Sequence, residues 1–208
     1  MGFNVVGLML LLALAGIGLA YGIDAMSRAG HQPAHRPGAE TVLTRTLADR
    51  RLHIPVSWFR EAAIPADGFA RQVDLRLNLP LGPEGAPRSV DVMLVPRSRA
   101  QPSALLLDRV YLHQFQPAQL AGPPGLVGKP LAAADGFTGE TVWYDPLSAD
   151  PFVAKCSVPV APGAGTRCLR TVRFGNIAAV YAFDSELLPA WRQFDDRMRP
   201  LLAAIGID

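Results

Sequence analysis

The sequence predicts an α+β protein: one N-terminal transmembrane helix, then a mostly antiparallel β-sheet with one face covered by two helices, at about 104–115 and 185–204. Three observations lead there. Gly2 to Ile23 is an unbroken uncharged run; several later stretches alternate apolar and polar residues between turn-forming ones; and two stretches place apolar residues three and four apart.

At about 1.5 Å of rise per residue, a helix over Gly2 to Ile23 is long enough for a hydrocarbon core of roughly 30 Å. The run is longer than the apolar centre of a signal peptide, and no Lys or Arg precedes it, which favours an uncleaved anchor over residues 1–23. The competing reading is cleavage, for which Gly18 and Ala20 supply a small pair. Gly18 with Gly22, and Gly16 with Ala20, put small residues four apart, the spacing that lets a second helix approach. The partners this implies are the lipid bilayer and either a protein or a second copy meeting the helix.

Residues 24–40 hold Gly30, Pro33, Pro37 and Gly38 among charges and histidines, without an apolar period, and read as a flexible tether. His31 and His35 are spaced for one helical face, but Pro33 between them opposes a helix and no third ligand is near, so no metal site is expected. The remaining residues, 41–208, suffice for one domain with a real core. Twenty Lys and Arg against eighteen Asp and Glu leave a net charge of +2. These charges are dispersed, which speaks against a nucleic-acid partner.

Thr41 to Leu47 and Leu52 to Ile54 alternate around Ala48-Asp49-Arg50 and predict a hairpin. Trp58 and Phe59 follow, as a cap on the core or, if exposed, a partner or ligand surface. Val73, Leu75, Leu77 and Leu79 alternate with polar residues, and after a Gly- and Pro-rich connector Val90, Val92 and Leu94 do the same, predicting an antiparallel pair. Ser103 reads as the N-cap of the helix over 104–115, with His113 off its apolar stripe.

The stretch from Gln116 to Gly139 is rich in Gly, Pro and Ala and reads as a long loop, a surface that is often functional. Its Gly128-Lys129-Pro130 is not a phosphate-binding loop, because Pro follows Lys129 where Ser or Thr is needed. Lys129 stays a candidate partner or ligand contact. Glu140 to Asp145 has strand composition, and Phe152 to Val158 with Arg167 to Phe174 forms a second hairpin.

Cys156 and Cys168 lie symmetrically about Pro162, so an antiparallel pairing there sets them opposite each other at a distance a disulfide spans. Behind an N-terminal apolar segment, a disulfide implies the periplasm. Against that orientation, Arg28 and Arg36 follow the span while only the terminal amine precedes it.

Gly175-Asn176 turns the chain into a strand over Ile177 to Phe183. A final amphipathic helix begins at Asp184 or Ser185 as cap; Pro200 should kink or end it. The succession of strands then helix in 41–115 and 140–205 also suggests a pseudo-repeat.

No nucleophile elbow, zinc, EF-hand, dinucleotide or haem signature is present, so neither a catalytic site nor a cofactor is expected. His53, boxed between Leu52 and Ile54, reads as a packed strand residue. The expectation is a single-pass protein of the bacterial inner membrane with its body in the periplasm, acting without catalysis as an accessory, scaffolding or assembly subunit of a membrane-associated complex. The alternatives are a small-ligand-binding module and a hydrolase whose residues converge only in three dimensions.

Overall fold

The computed structural model describes residues 41–60, 66–133, 139–158 and 165–208. The expected anchor, with Gly16, Gly18, Ala20 and Gly22, and the expected tether lie outside these residues, as does the turn around Pro162. Among the described residues no helix is long and apolar enough to cross a membrane.

The body, Val42–Asp208, is α+β and is built on two sheets. β1 (Val42–Leu47) and β2 (Arg50–Pro55) form the expected hairpin, and the short β3 (Gly68–Ala70) adds to β1 in parallel. The larger sheet holds β4 (Val73–Pro80), β5 (Pro87–Pro96), β6 (Val127–Pro130), β7 (Glu140–Tyr144), β8 (Val153–Ser157), β9 (Arg167–Phe174) and β10 (Ile177–Asp184). Its order is β4-β5-β10-β9-β8-β7-β6, antiparallel throughout.

The alternation read in the sequence fixes which face is buried. Val73, Leu75, Leu77 and Leu79 of β4, Val90, Val92 and Leu94 of β5, and Ile177, Ala179, Tyr181 and Phe183 of β10 all enter one core, joined by Leu47, Leu52 and Ile54 of the small sheet. That core is closed by α2 (Trp191–Ala204), which buries Phe194, Met198 and Leu202 at intervals of four. Phe194 is its centre, with ring centroids 4.7 Å from Phe183 and 5.8 Å from Tyr181.

The two helices do not share a face. α1 (Ser103–Arg109) buries Leu107 in a second cluster with Tyr111, Leu131, Val142 and Val153. Val142 and Val153 are the immediate neighbours of Trp143 and Ala154, which pack in the main core, and successive strand residues point to opposite faces. α1 therefore covers the side of the sheet that α2 leaves open.

Helix termini also differ from expectation. α1 is shorter than 104–115, with Tyr111–His113 forming a separate 3-10 turn. Ser103 is not a side-chain cap but a buried first residue, and its Oγ accepts the N–H of Thr171 at 2.8 Å. Asp184 and Ser185 likewise give no side-chain cap; a 3-10 turn over Ser185–Ala190 takes in Pro189 and precedes α2. Pro200 sits inside α2 without ending it. It and Asp196, whose carbonyl loses its amide partner, are both on the solvated side, where water replaces the bond.

The 116–139 connection is less irregular than its composition suggests, since it contains β6. The outer edge of β6 is covered by the chain before it, through Gln116 N–H to Pro130 O and Leu120 N–H to Gly128 O, each 2.9 Å. At the other end of the sheet, Arg60 N–H bonds Asp74 O at 3.2 Å along β4. The two halves of the body differ in strand order, three strands leaving for the small sheet in the first and a four-strand meander in the second, so they are not a repeat.

Candidate functional site

The most chemically distinct place on the body is a notch in the large sheet. β8 pairs with β9 only from Lys155↔Leu169 to Ser157↔Arg167, while β9 runs on to Phe174. Where β8 has left the ladder, the backbone of β9 needs other partners. Ser103 Oγ supplies one, for Thr171, and the Arg170 side chain reaches across to the Val153 carbonyl of β8.

Arg170 follows Cys168 by two residues and so points into the core, where it is only 7% exposed. Its charge is compensated on every side. Nε donates to Asp195 Oδ1 at 3.1 Å, Nη2 donates to Asp195 Oδ2, and Nη1 donates to Val153 O at 3.3 Å. The guanidinium also lies 4.5 Å over the Phe152 ring. The pair thus fastens α2 to the sheet at the point where the ladder is interrupted.

In front of this pair lies a cleft of ≈ 220 Å³ lined by Arg170, Arg173, Arg199, Tyr181, Asp195 and Asp150. Tyr181 is buried, and burial, followed by the Asp195 carboxylate, pushes its phenol far above the usual range, so it remains protonated. Arg173 and Arg199 are exposed, and among the described residues neither has an ion-pair partner. Cations, a neutral phenol and strand backbone equip such a cleft to hold an anionic group.

Two other surfaces are organised differently. Asp91 accepts from Arg76 Nε at 2.8 Å and Arg167 Nη2 at 3.2 Å, with Arg60 at 3.8 Å, and Arg167 also donates to Asp184. The hydrogen bond from Arg76, with the charge of Asp91, raises the Arg76 pKa. These ions satisfy one another across four strands and read as a surface clamp. Separately, an open apolar recess of ≈ 400 Å³ lies beside the disulfide, against Trp143, Leu188 and Pro189. Gly122 from the 116–139 connection lines it.

Cys156 and Cys168 stand opposite each other in the β8–β9 register and are bonded, with Cα atoms 3.9 Å apart. Trp58 and Phe59 are half-buried against the main core, Phe59 bridging to Leu75 of β4. Lys129 donates to Pro117 O at 3.0 Å, tying the preceding loop to β6. β4 and β6 are the opposite edges of the sheet, and six strand intervals of about 4.8 Å separate them by roughly 29 Å. Trp58, Phe59 and Lys129 are therefore not brought together.

Neither body histidine lines these clefts. His53 is exposed on β2 with Nδ1 3.4 Å from Thr44 Oγ1, not packed into the core as its apolar neighbours suggest; His113 is exposed as well. Among the described residues no group of three or more His, Cys, Asp or Glu side chains could hold a metal ion.

No protein-family model matches the chain, and no curated protein does. Two solved structures align with the chain. An immunity protein of the Stenotrophomonas maltophilia type IV secretion system superposes with a TM-score of 0.53 at 13% identity, over 84% of this chain and 98% of that one. The iron-regulated outer membrane lipoprotein of Neisseria meningitidis gives 0.48 at 8% identity, over 83% and 97%. At these identities the first likeness concerns the fold.

Proposed function

We propose that this chain is a non-catalytic binding protein of the bacterial cell envelope, anchored in the inner membrane by residues 1–23. The tether, 24–40, carries the body, 41–208, on the periplasmic side, where it takes a protein partner as an accessory or assembly subunit. The anchor's small residues Gly16, Gly18, Ala20 and Gly22 offer a second contact, with the same partner or another copy.

The observation that carries this reading is the Cys156–Cys168 bond, because a structural disulfide belongs to an oxidising compartment. Support for partner binding comes from the notch, whose lining carries one more positive than negative charge and whose two exposed arginines make no ion pair among the described residues. The fold is one that a secretion-system immunity protein also uses, which is in keeping with a non-catalytic binding role. The apolar recess beside Trp143 favours a second reading, a periplasmic small-ligand module.

The test is purification of the full chain from its own cells in mild detergent. An intact N-terminus, thiols that resist alkylation until reduced, and a stoichiometric protein companion are expected. A mature N-terminus beyond Ala20, free thiols in native material or an orphan monomer would overturn the proposal.

A further inference from the structure

We propose that the notch beside β9 is the docking site for an extended, carboxylate-bearing segment of a protein partner, which adds to the sheet where β8 leaves off. This deepens the partner-binding reading and rests on it.

The backbone argument comes from register. The two-residue turn Gly175-Asn176 closes on the pair Phe174↔Ile177, and in an antiparallel ladder alternate residues direct their N–H and C=O groups to alternate sides. Phe174, Val172 and Arg170 thus face β10, whereas Leu169, Thr171 and Arg173 face the side of β8. Leu169 is paired with Lys155, and the Thr171 N–H is taken by Ser103 Oγ. The C=O of Thr171 and both backbone groups of Arg173 remain toward the cleft, a short length of strand edge inside the sheet. Pro102 and Pro151 line the same cleft, and neither has an N–H to compete for that edge.

The charge argument selects the occupant. Three arginines and two aspartates line the cleft, an excess of one positive charge. Arg170 is committed to Asp195 and Val153, so the excess resides on Arg173 and Arg199 at the mouth. One carboxylate fits that balance. A phosphate dianion meets repulsion from Asp195 and Asp150, and a neutral strand leaves the two guanidiniums unanswered. The Tyr181 phenol, kept protonated, adds a neutral donor at the inner wall.

The probe is a short capped peptide of β-branched residues with a central glutamate, titrated into the full chain in detergent and followed by amide NMR shifts. The Thr171 and Arg173 amides should move, the glutamine version of the peptide should bind about tenfold more weakly, and R173Q/R199Q should cost the glutamate peptide about tenfold. Both arginines are exposed, so the double variant should unfold at the same temperature as the native chain. Equal binding of the two peptides, shifts centred elsewhere, displacement by inorganic phosphate, or no shift at the solubility limit would each overturn the site. A companion protein that co-purifies with R173Q/R199Q as well as with the native chain would end this site yet leave the partner-binding reading standing. A native chain that purifies alone would end that reading itself.

Discussion

Gly128 and Trp143 are cross-strand partners in the β6–β7 ladder, and the indole occupies the volume that a side chain at Gly128 would need. A Cβ there would lie 2.5 Å from the ring, and one at Gly122, on the covering segment, 2.0 Å. The same edge of the ring therefore lies against two glycine backbones. Gly128→Ala should destabilise the body by about 2 kcal/mol through overpacking. Combined with Trp143→Leu, the cost should fall well short of the sum of the two single changes. Urea unfolding of the three variants measures this, and strict additivity would show that the indole is not what excludes the side chain.

Cys156 and Cys168 are 2% and 0% exposed, and their bond closes a loop of sequence separation 12. Reduction should lower stability by about 2–4 kcal/mol, mostly by releasing the unfolded chain. Thermal unfolding with and without reductant tests this. An unchanged midpoint with the bond verifiably broken would contradict it.

Arg170 and Asp195 should not contribute symmetrically. The arginine side chain is 8% exposed and the aspartate 34%, so removing the acid strands a buried cation, whereas removing the base leaves a carboxylate that water can reach. Asp195→Ala is expected to cost about 3 kcal/mol and Arg170→Met about 1 kcal/mol. Denaturant midpoints of the pair decide it, and the reverse order would refute the account of where the charge is compensated.

Tyr181 makes the body sensitive to alkali. Its folded pKa is raised, so the stabilisation is fully present below the unfolded value and declines as pH rises above about 10, where only the unfolded chain ionises. The slope is about 1.4 kcal/mol per pH unit for one proton. Tyr111, raised by burial and then by Glu140, acts in the same direction. Tyr181→Phe should flatten the fall in stability between neutral and strongly alkaline pH, and the double change with Tyr111→Phe should flatten it further. An identical alkaline profile in the native and double variants would rule this out.

Most of the strand framework was readable because alternation survives folding. The Val73–Leu79 run, the Gly175-Asn176 turn and the symmetry of the two cysteines each state a local rule that nothing distant overrides. β6 was hidden because Gly128 and Pro130 read as loop punctuation, while the reason for Gly128 is an indole on another strand. β3 is three residues long and joins β1 only through a distant register. Ser103 looked like a cap because its use, bonding Thr171 in β9, is decided by tertiary contact.

The candidate site was harder. Nothing in Leu169-Arg170-Thr171 announces a cleft, although one signal was available: counting by two from Cys168 places Arg170 on the buried face, and an arginine there demands partners. Which acid answers it could not be read, since Asp195 and Asp196 are adjacent on the helix and only packing selects between them. The surfaces chosen from composition, Trp58, Phe59 and Lys129, were separated by the strand order, which a period-two pattern does not reveal.

The turn that follows α2 is stitched to β2. His53 N–H bonds Ile205 O at 3.1 Å, and Arg50 donates to Gly206 O and pairs with Asp208, the Gly206 contact spanning 156 residues. The outer edge of the β1–β2 hairpin is therefore closed only when a segment 156 residues further along has folded back onto it. Closing so long a loop costs more entropy than forming the local hairpin, which makes this edge a late step in folding.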